Sequence, residues 1–295
     1  MNLDTLAALA STLPQPYKDS AEGLVNRMGA VIEGIGDSDV GWRAMTLRLV
    51  QGTSDVSKLP DGAKIGSIIH GEDVFPASSS IIPLRSWDSR QYWSPDQNEA
   101  KMLCSSPDAV LGYIGKQCKA CEHSVYDEQE KSIDCNKVKV FMCISADLSE
   151  LFLMNFAKTG FKIGSEWQSL QKKAGVAPYR RMYSLKSSVG KSYKNVAQFE
   201  IEVIDDETKR TTPVELLPFI TELFNQVGAD RKEHVESFHK MIMLRKDNPA
   251  LTTNSSVDSE VVMVGTNVNQ SVTTVSDSES STEKSTSPLA KKYSI

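Results

Sequence analysis

The sequence predicts a mainly β protein with α-helical flanks, built as a small closed or partly open barrel that carries a metal-binding insertion. Three observations lead there. Between Trp42 and Ile204 apolar residues recur at alternate positions in several short runs, as in strands with one buried face. Four cysteines, Cys104, Cys118, Cys121 and Cys135, interrupt the series with spacing C-x13-C-x2-C-x13-C. Helical periodicity is confined to the two ends and one interposed segment, and short strands with a single helix among them suit a small barrel.

In chain order, Leu3, Leu6, Leu9 and Leu13 mark a short amphipathic helix, stopped by Pro14 and Pro16. A second helix is expected from Ser20, with Leu24, Met28, Val31, Ile32 and Ile35 on one face and Gly36 at its end. Met45, Leu47 and Leu49 alternate with Thr46 and Arg48 as a strand, and Ile65–Ile69 and Ile81–Trp87 are two more. The cleanest strand is Lys137–Ser145, where Val138, Val140, Met142 and Ile144 share a face; Leu151–Phe156 returns beside it. Ser165–Ala174 reads as a short helix capped by Ser165, and Arg181–Ser187 and Val196–Ile204 are again strands. Asp205-Asp206-Glu207 marks a turn. Thr212-Pro213-Val214-Glu215 is a capping box with Pro at the first helical position, followed by the stripe Leu216, Ile220, Leu223, Phe224 and Val227 and a charged helix to about Asp247. Residues 251–295 hold eighteen Ser or Thr and one aromatic, Tyr293, too little apolar surface to offset the ordering entropy, so disorder is expected there. The resulting division is a helical segment over 1–40, a β domain over 41–210 with its cysteine insertion at about 100–137, C-terminal helices over 211–248 and a Ser/Thr-rich tail over 249–295. No internal repeat is visible.

The bulk numbers restrict function. With 40% hydrophobic and 24% charged residues, most of the 295-residue chain should fold around a core. A formal net charge of −5 excludes wholesale coating of a polyanion, so any polyanion site is a local groove on an acidic body. No apolar run approaches a membrane span. The stretch MNLDTLAALASTLP lacks a basic n-region, so a cytoplasmic protein is expected.

In a reducing compartment, five cysteines imply metal or free thiols rather than a disulfide scaffold. Cys118-Lys119-Ala120-Cys121 is a two-thiolate knuckle, and Cys104 and Cys135 at loop distance complete a tetrahedral set for one structural Zn²⁺. His123 is a substitute ligand for either outer cysteine. A thioredoxin-like redox pair and a set of unrelated thiols are the competing readings, but no βαβ context precedes Cys118. Cys143, on its strand, is expected to be a small buried hydrophobe.

Residues 158–194 carry nine Lys or Arg and one acid, Glu166, with Phe161, Trp167, Tyr179, Tyr183 and Tyr193 among them. Local charge of this kind displaces counterions from a polyanion, and aromatic faces stack on unpaired bases. The pattern points to single-stranded nucleic acid; an ordinary solvated face over core aromatics is the alternative. No catalytic constellation stands out: there is no phosphate loop, no H-E-x-x-H and no G-x-S-x-G, and the four histidines are scattered.

Taken in order, Leu47-Arg48-Leu49-Val50-Gln51-Gly52-Thr53-Ser54, Ile81-Ile82-Pro83-Leu84, the segment Arg85 to Trp93, the cysteine insertion, Lys158-Thr159-Gly160-Phe161-Lys162 and Pro178-Tyr179-Arg180-Arg181-Met182-Tyr183 resemble phage-encoded single-stranded DNA-binding proteins. The resemblance covers roughly residues 42 to 204. It implies an OB-like barrel with a zinc-ribbon-like insertion, no catalysis, and a role in protecting replication and recombination intermediates. Single-stranded DNA would be the ligand and phage or host replication proteins the partners, with neither membrane nor small-molecule substrate. Lys158, Lys162, Arg180, Arg181 and Lys186, with Arg85 and Arg90, would track phosphates, while Trp167, Tyr183, Trp87 and Trp93 would stack bases. The chain departs from that pattern at its end, Leu289-Ala290-Lys291-Lys292-Tyr293-Ser294-Ile295, which is basic where such proteins often carry an acidic tip. Two other functions fit the same features: a zinc-ribbon adaptor of transcription or replication that binds polymerase or duplex DNA, and a phage nuclease or recombination enzyme.

Overall fold

The computed structural model describes residues 2–33, 44–76, 78–94, 101–126, 133–190 and 196–247. The expected tail from 249 onward, Ile35, Gly36, Tyr193 and the side chains of Val31 and Ile32 lie outside the described residues. Two helices open the chain, α1 (Leu3–Ser11) and α2 (Tyr17–Glu33). The Asn2 side chain caps α1 by accepting from the Thr5 N–H, and α2 starts at Tyr17 rather than Ser20. Ten strands follow: β1 (Met45–Thr46), β2 (Arg48–Leu49), β3 (Ile68–His70), β4 (Asp73–Phe75), β5 (Ser79–Trp93), β6 (Met102–Ser106), β7 (Cys135–Ser145), β8 (Leu151–Ala157), β9 (Tyr183–Gly190) and β10 (Val196–Val203). Helix α3 (Phe161–Lys173) lies between β8 and β9, and α4 (Glu207–Arg210) and the long α5 (Leu217–Asp247) follow β10.

The architecture is mainly β with helices on its flanks, and no closed barrel forms among the described residues. The strands divide into a seven-stranded sheet, ordered β1-β8-β7-β5-β9-β10 with β6 also on β5, and a three-stranded sheet, β2-β3-β4. The division falls inside the strand expected around Met45–Leu49. Leu47 sends its N–H to the Leu153 carbonyl at 2.8 Å and buries its side chain, and the chain leaves the large sheet there for the small one. The two sheets meet again on the far side through side chains. The Gln51 amide donates to the Ala197 carbonyl at 3.1 Å and accepts from the Ala197 N–H at 2.8 Å, standing in for one rung of a ladder against β10.

Both faces of the large sheet are covered, because β5, β7 and β8 alternate apolar residues in both directions. Val138, Val140, Met142 and Ile144 share one face, as their spacing predicts; with Ile82, Leu84, Leu151 and Leu153 they pack under α1, α2 and α5. The opposite residues, Phe141, Cys143, Phe152, Met154 and Phe156, pack between the two sheets and α3. Cys143 is fully buried, as expected of a small hydrophobe.

Two expected caps are not used. Ser165 lies inside α3 and bonds back to the Phe161 carbonyl. Thr212 is buried and donates its hydroxyl to the Tyr179 carbonyl at 2.7 Å, pinning the segment before α5 to the turn before β9. At the expected acidic turn, Asp206 caps α4 by accepting from the Thr208 N–H.

Candidate metal centre and basic faces

Strand pairing brings the outer cysteines together from 31 residues apart in sequence. Tyr92 of β5 is opposite Cys104 of β6 on one side and opposite Cys135 of β7 on the other. The loop after β6 folds back through a turn at Gly112–Gly115, where Gly115 has φ +79°. That return delivers Cys118 and Cys121 to the same place. All four cysteines are buried, none is disulfide-bonded, and together they line one cavity of about 10 Å³, on the order of one water-sized sphere. A Cβ on Gly112 would stand 2.9 Å from the Cys104 sulfur and 4.0 Å from that of Cys118, so only glycine lets the loop pass so close.

Among the described residues, no three His, Cys, Asp or Glu side chains form a ready metal-holding group, so the thiols would have to close on an ion. Their surroundings suit that closure. Burial pushes the thiols of Cys104, Cys118 and Cys135 up, which keeps them neutral in the absence of a cation. Opposing that, the backbone N–H groups of Tyr113 and Ile114 favour the Cys104 thiolate, Ser106 favours that of Cys118, and Arg90 favours that of Cys135. The Arg90 Nη1 is buried with no hydrogen-bond partner. A buried guanidinium nitrogen without an acceptor, beside two thiols, is what a doubly negative metal–thiolate centre would satisfy. His123 also lines the cavity but is engaged elsewhere. Its Nδ1 is 3.2 Å from Asp134, its Nε2 is 3.6 Å from Glu122, and its ring stacks on Tyr92 at 4.2 Å.

The residues expected to contact DNA do not share one surface. Trp167 and Tyr183 are core: they are 1% and 2% exposed, and Trp167 stacks on Phe141 at 4.2 Å with Tyr183 edge-on at 5.6 Å. The two rings fill the space between α3, β7 and β9, so neither reaches a base; the aromatic periodicity of this strip reports the core. Arg90 faces the cysteines and leaves the set of phosphate contacts. Lys158, Lys162 and Arg180 are exposed, with Lys172 and Lys173 at the end of α3. Lys162 is 3.8 Å from Glu166 and Lys186 is 2.6 Å from Glu202, whereas no carboxylate of the described residues pairs with Lys158, Lys172, Lys173 or Arg180. Arg181 is half-buried in a bridge to Thr211. Trp93 is half-buried at the end of β5, beside a bulge opposite Met102.

Arg85 and Trp87 belong to a separate groove against α5. Strand alternation sends them to the face opposite Arg90 and Tyr92. The Arg85 guanidinium lies 3.8 Å over the Phe224 ring, and its Nε donates to the Phe224 carbonyl at 2.8 Å. Arg231 of α5 lies 4.7 Å over the Trp87 ring. Sequence reading missed Arg231, Lys232 and Gly228, because on a long charged helix nothing in the spacing distinguishes a groove-facing arginine from a solvated one. The one legible signal is Gly228 inside an otherwise good helix former.

Family models, curated proteins and solved structures offer no match to this chain.

Proposed function

We propose that this protein binds single-stranded DNA without catalysis, through an OB-like β body that carries one structural Zn²⁺ on Cys104, Cys118, Cys121 and Cys135. The observation that supports binding is the exposed cationic face of α3 and the turn before β9. There Lys158, Lys172, Lys173 and Arg180 stand without a carboxylate partner among the described residues, on a chain of net charge −5. With Trp167 and Tyr183 in the core, phosphate contacts carry more of the affinity than stacking does, and of the expected stacking residues Trp87, beside Arg231, and Trp93 remain half-buried. When bound, zinc would supply no chemistry beyond crosslinking the loop to β6 and β7, which orders residues 104–121 against the sheet. Coverage of replication or recombination intermediates of a phage-like replicon, in the cytoplasm of its host and in company with replication proteins, is the role this reading assigns. No helix among the described residues is long and apolar enough to cross a membrane.

Titration of labelled single-stranded and duplex oligonucleotides at two salt concentrations tests the reading. Tighter binding to the single strand, weakening steeply with salt, is the expected result. Equal affinity for duplex would favour the adaptor function, and Mg²⁺-dependent degradation of the probe would favour the nuclease.

A further inference from the structure

Strand β5 is paired along one edge with β7 from Ile81 to Tyr92. Its other edge meets β9 only at Ser79–Ile81 and β6 only at Arg90–Trp93. Between those contacts no strand of the described residues covers the edge. Helix α5 crosses beside the gap and leaves a groove of about 460 Å³, lined by Arg85, Trp87, Phe224, Gly228, Arg231 and Lys232 among others.

The charge in this groove is not matched. Burial lowers the proton affinity of both guanidinium groups, and Arg85 further lowers that of Arg231, so the two cations are close enough to repel. Neither forms an ion pair with a carboxylate of the described residues. Asp108 attracts Arg231 from a distance but is engaged by His239 at 3.1 Å, by the Ser106 hydroxyl and by the Val110 N–H. Glu236 lines the groove and is 3.8 Å from Lys232. Arg231 spends one Nη2 bond on the Pro107 carbonyl at 3.3 Å, while its buried Nε has no partner. Arg85 is held flat between Phe224 and Gly228 by one Nε bond, and no other hydrogen bond of the described residues engages its guanidinium. Two half-buried, mutually repelling guanidinium groups with open donors are costly to keep unless an anion joins them. The planar fork of arginine is matched by the oxygens of phosphate.

We propose that this groove is a phosphate-binding site, with Arg85 and Arg231 gripping the phosphate oxygens and Trp87 flanking what the phosphate carries. The source is either the backbone of a nucleic acid or the phosphate of a free nucleotide. Assigning it to the backbone rests on the single-stranded DNA reading; the site itself does not. Lys232, exposed and 3.8 Å from Glu236, adds a third cation to the lining.

The full-length protein is titrated with a thymidine oligonucleotide, with thymidine monophosphate and with inorganic pyrophosphate, following the arginine Nε–H resonances and the affinity. Wild type is expected to bind pyrophosphate with a shift of the Arg231 Nε–H. Arg231→Gln should weaken binding of whichever nucleotide ligand occupies the groove by about tenfold or more, the equivalent of one charge-assisted hydrogen bond. Gly228→Ala keeps every charge, but its Cβ would fall 2.2 Å from the Arg85 Nη2, so it should push Arg85 aside and weaken binding while the helix stays folded. Loss with the oligonucleotide alone assigns the site to the backbone, and loss with the monophosphate assigns it to a free nucleotide. Pyrophosphate binding that depends on Arg231, in a protein that ignores the oligonucleotide, would keep the phosphate site and refute the DNA reading. Oligonucleotide binding that neither variant alters, with no pyrophosphate response, would keep the DNA reading and overturn the groove.

Discussion

Replacing Trp167 by alanine separates core from interface most directly. The indole is 1% exposed, stacks on Phe141 at 4.2 Å, and meets Phe156 and Tyr183 edge-on at 6.1 and 5.6 Å. Truncation removes the transfer free energy of the ring and leaves a cavity that α3 and β7 can only partly close. Large-to-small changes of this kind cost about 3–5 kcal/mol. The aromatic pairs are worth about 0.5–1.5 kcal/mol each beyond their buried area, which places this site at the upper end. A folded unit of this size loses about 2–4 °C in Tm per kcal/mol, so Trp167→Ala should melt about 6–20 °C below wild type. The indole Nε1 is buried without a hydrogen-bond partner, so Trp167→Phe removes no bond and should cost less than the alanine change. Melts are read by circular dichroism, and oligonucleotide affinity is measured at a temperature where both proteins are folded. The expected outcome is lower stability with affinity per folded molecule unchanged. If Trp167→Ala melts with wild type and loses about 1–3 kcal/mol of binding, the cost of removing one base stack, the indole lies at the surface and the placement of α3 is wrong.

Three further outcomes follow from the same geometry. Protein purified without chelator should carry about one zinc per chain on its four thiols, and Cys121→Ser should lower metal content, Tm and oligonucleotide affinity together, because metal binding is linked to folding. Elemental analysis beside thermal melts checks it; full stability without metal would remove the structural role. Lys158→Gln with Arg180→Gln should weaken binding to every sequence and flatten the logarithmic salt dependence by about 0.7 for each phosphate no longer neutralised, whereas an unchanged slope would take this face out of the interface. Burial holds the Cys143 thiol well above its ordinary value of 9.0, so the folded state keeps it neutral and the unfolded chain does not. That contribution is complete below pH 9.0 and is lost as pH rises beyond it. Denaturant melts across that range should show Cys143→Ala less stable than wild type near neutrality and closing the gap in alkali.

What was legible in the sequence was whatever is encoded by local period. The face of Val138, Val140, Met142 and Ile144 and, from the expected stripe, Leu216, Ile220, Leu223 and Val227 pack as their spacing predicts, since alternation and helical repeat each select one buried side, whereas Phe224 of that stripe lies at the groove under Arg85. Spacing alone could not show that β7 is buried on both faces, because Phe141 and Cys143 are as apolar as their neighbours and read as one continuous run. The basic, aromatic segment misled for a related reason. On α3 the lysines point outward and Trp167 inward, so the two residue types alternate in sequence without sharing a surface. The division of Met45–Leu49 between two sheets depends on the bond from Leu47 to Leu153, a partner more than a hundred residues away that no local pattern announces. The convergence of four cysteines was visible as spacing. The contribution of Arg90 was not, because it required knowing that Tyr92 sits between Cys104 and Cys135 in the sheet.

The cysteine loop and the arginine groove are mechanically one object, joined by α5. His239 is 3.1 Å from Asp108, Arg245 lies 4.6 Å over the Tyr113 ring, and Arg231 reaches the Pro107 carbonyl, so the C-terminal half of the helix is stitched to the loop that delivers Cys118 and Cys121. The same Arg231 covers Trp87 in the groove. None of these contacts is strong alone: a ring–cation contact or a partly exposed ion pair contributes on the order of 0.5–1 kcal/mol. Together they tie the loop and the helix to each other. The loop holds itself together by its own backbone bonds, Gly112 to Lys116 and Cys118 to Val110 among them, and a metal on the four sulfurs would add a crosslink to these and to the contacts with α5. If a metal fixes the loop, it also holds the Pro107 carbonyl to which Arg231 donates, beside the groove that Arg231 lines. A structural ion on one side of the sheet would in this way set the shape of an anion site on the other, with no ligand in common between them.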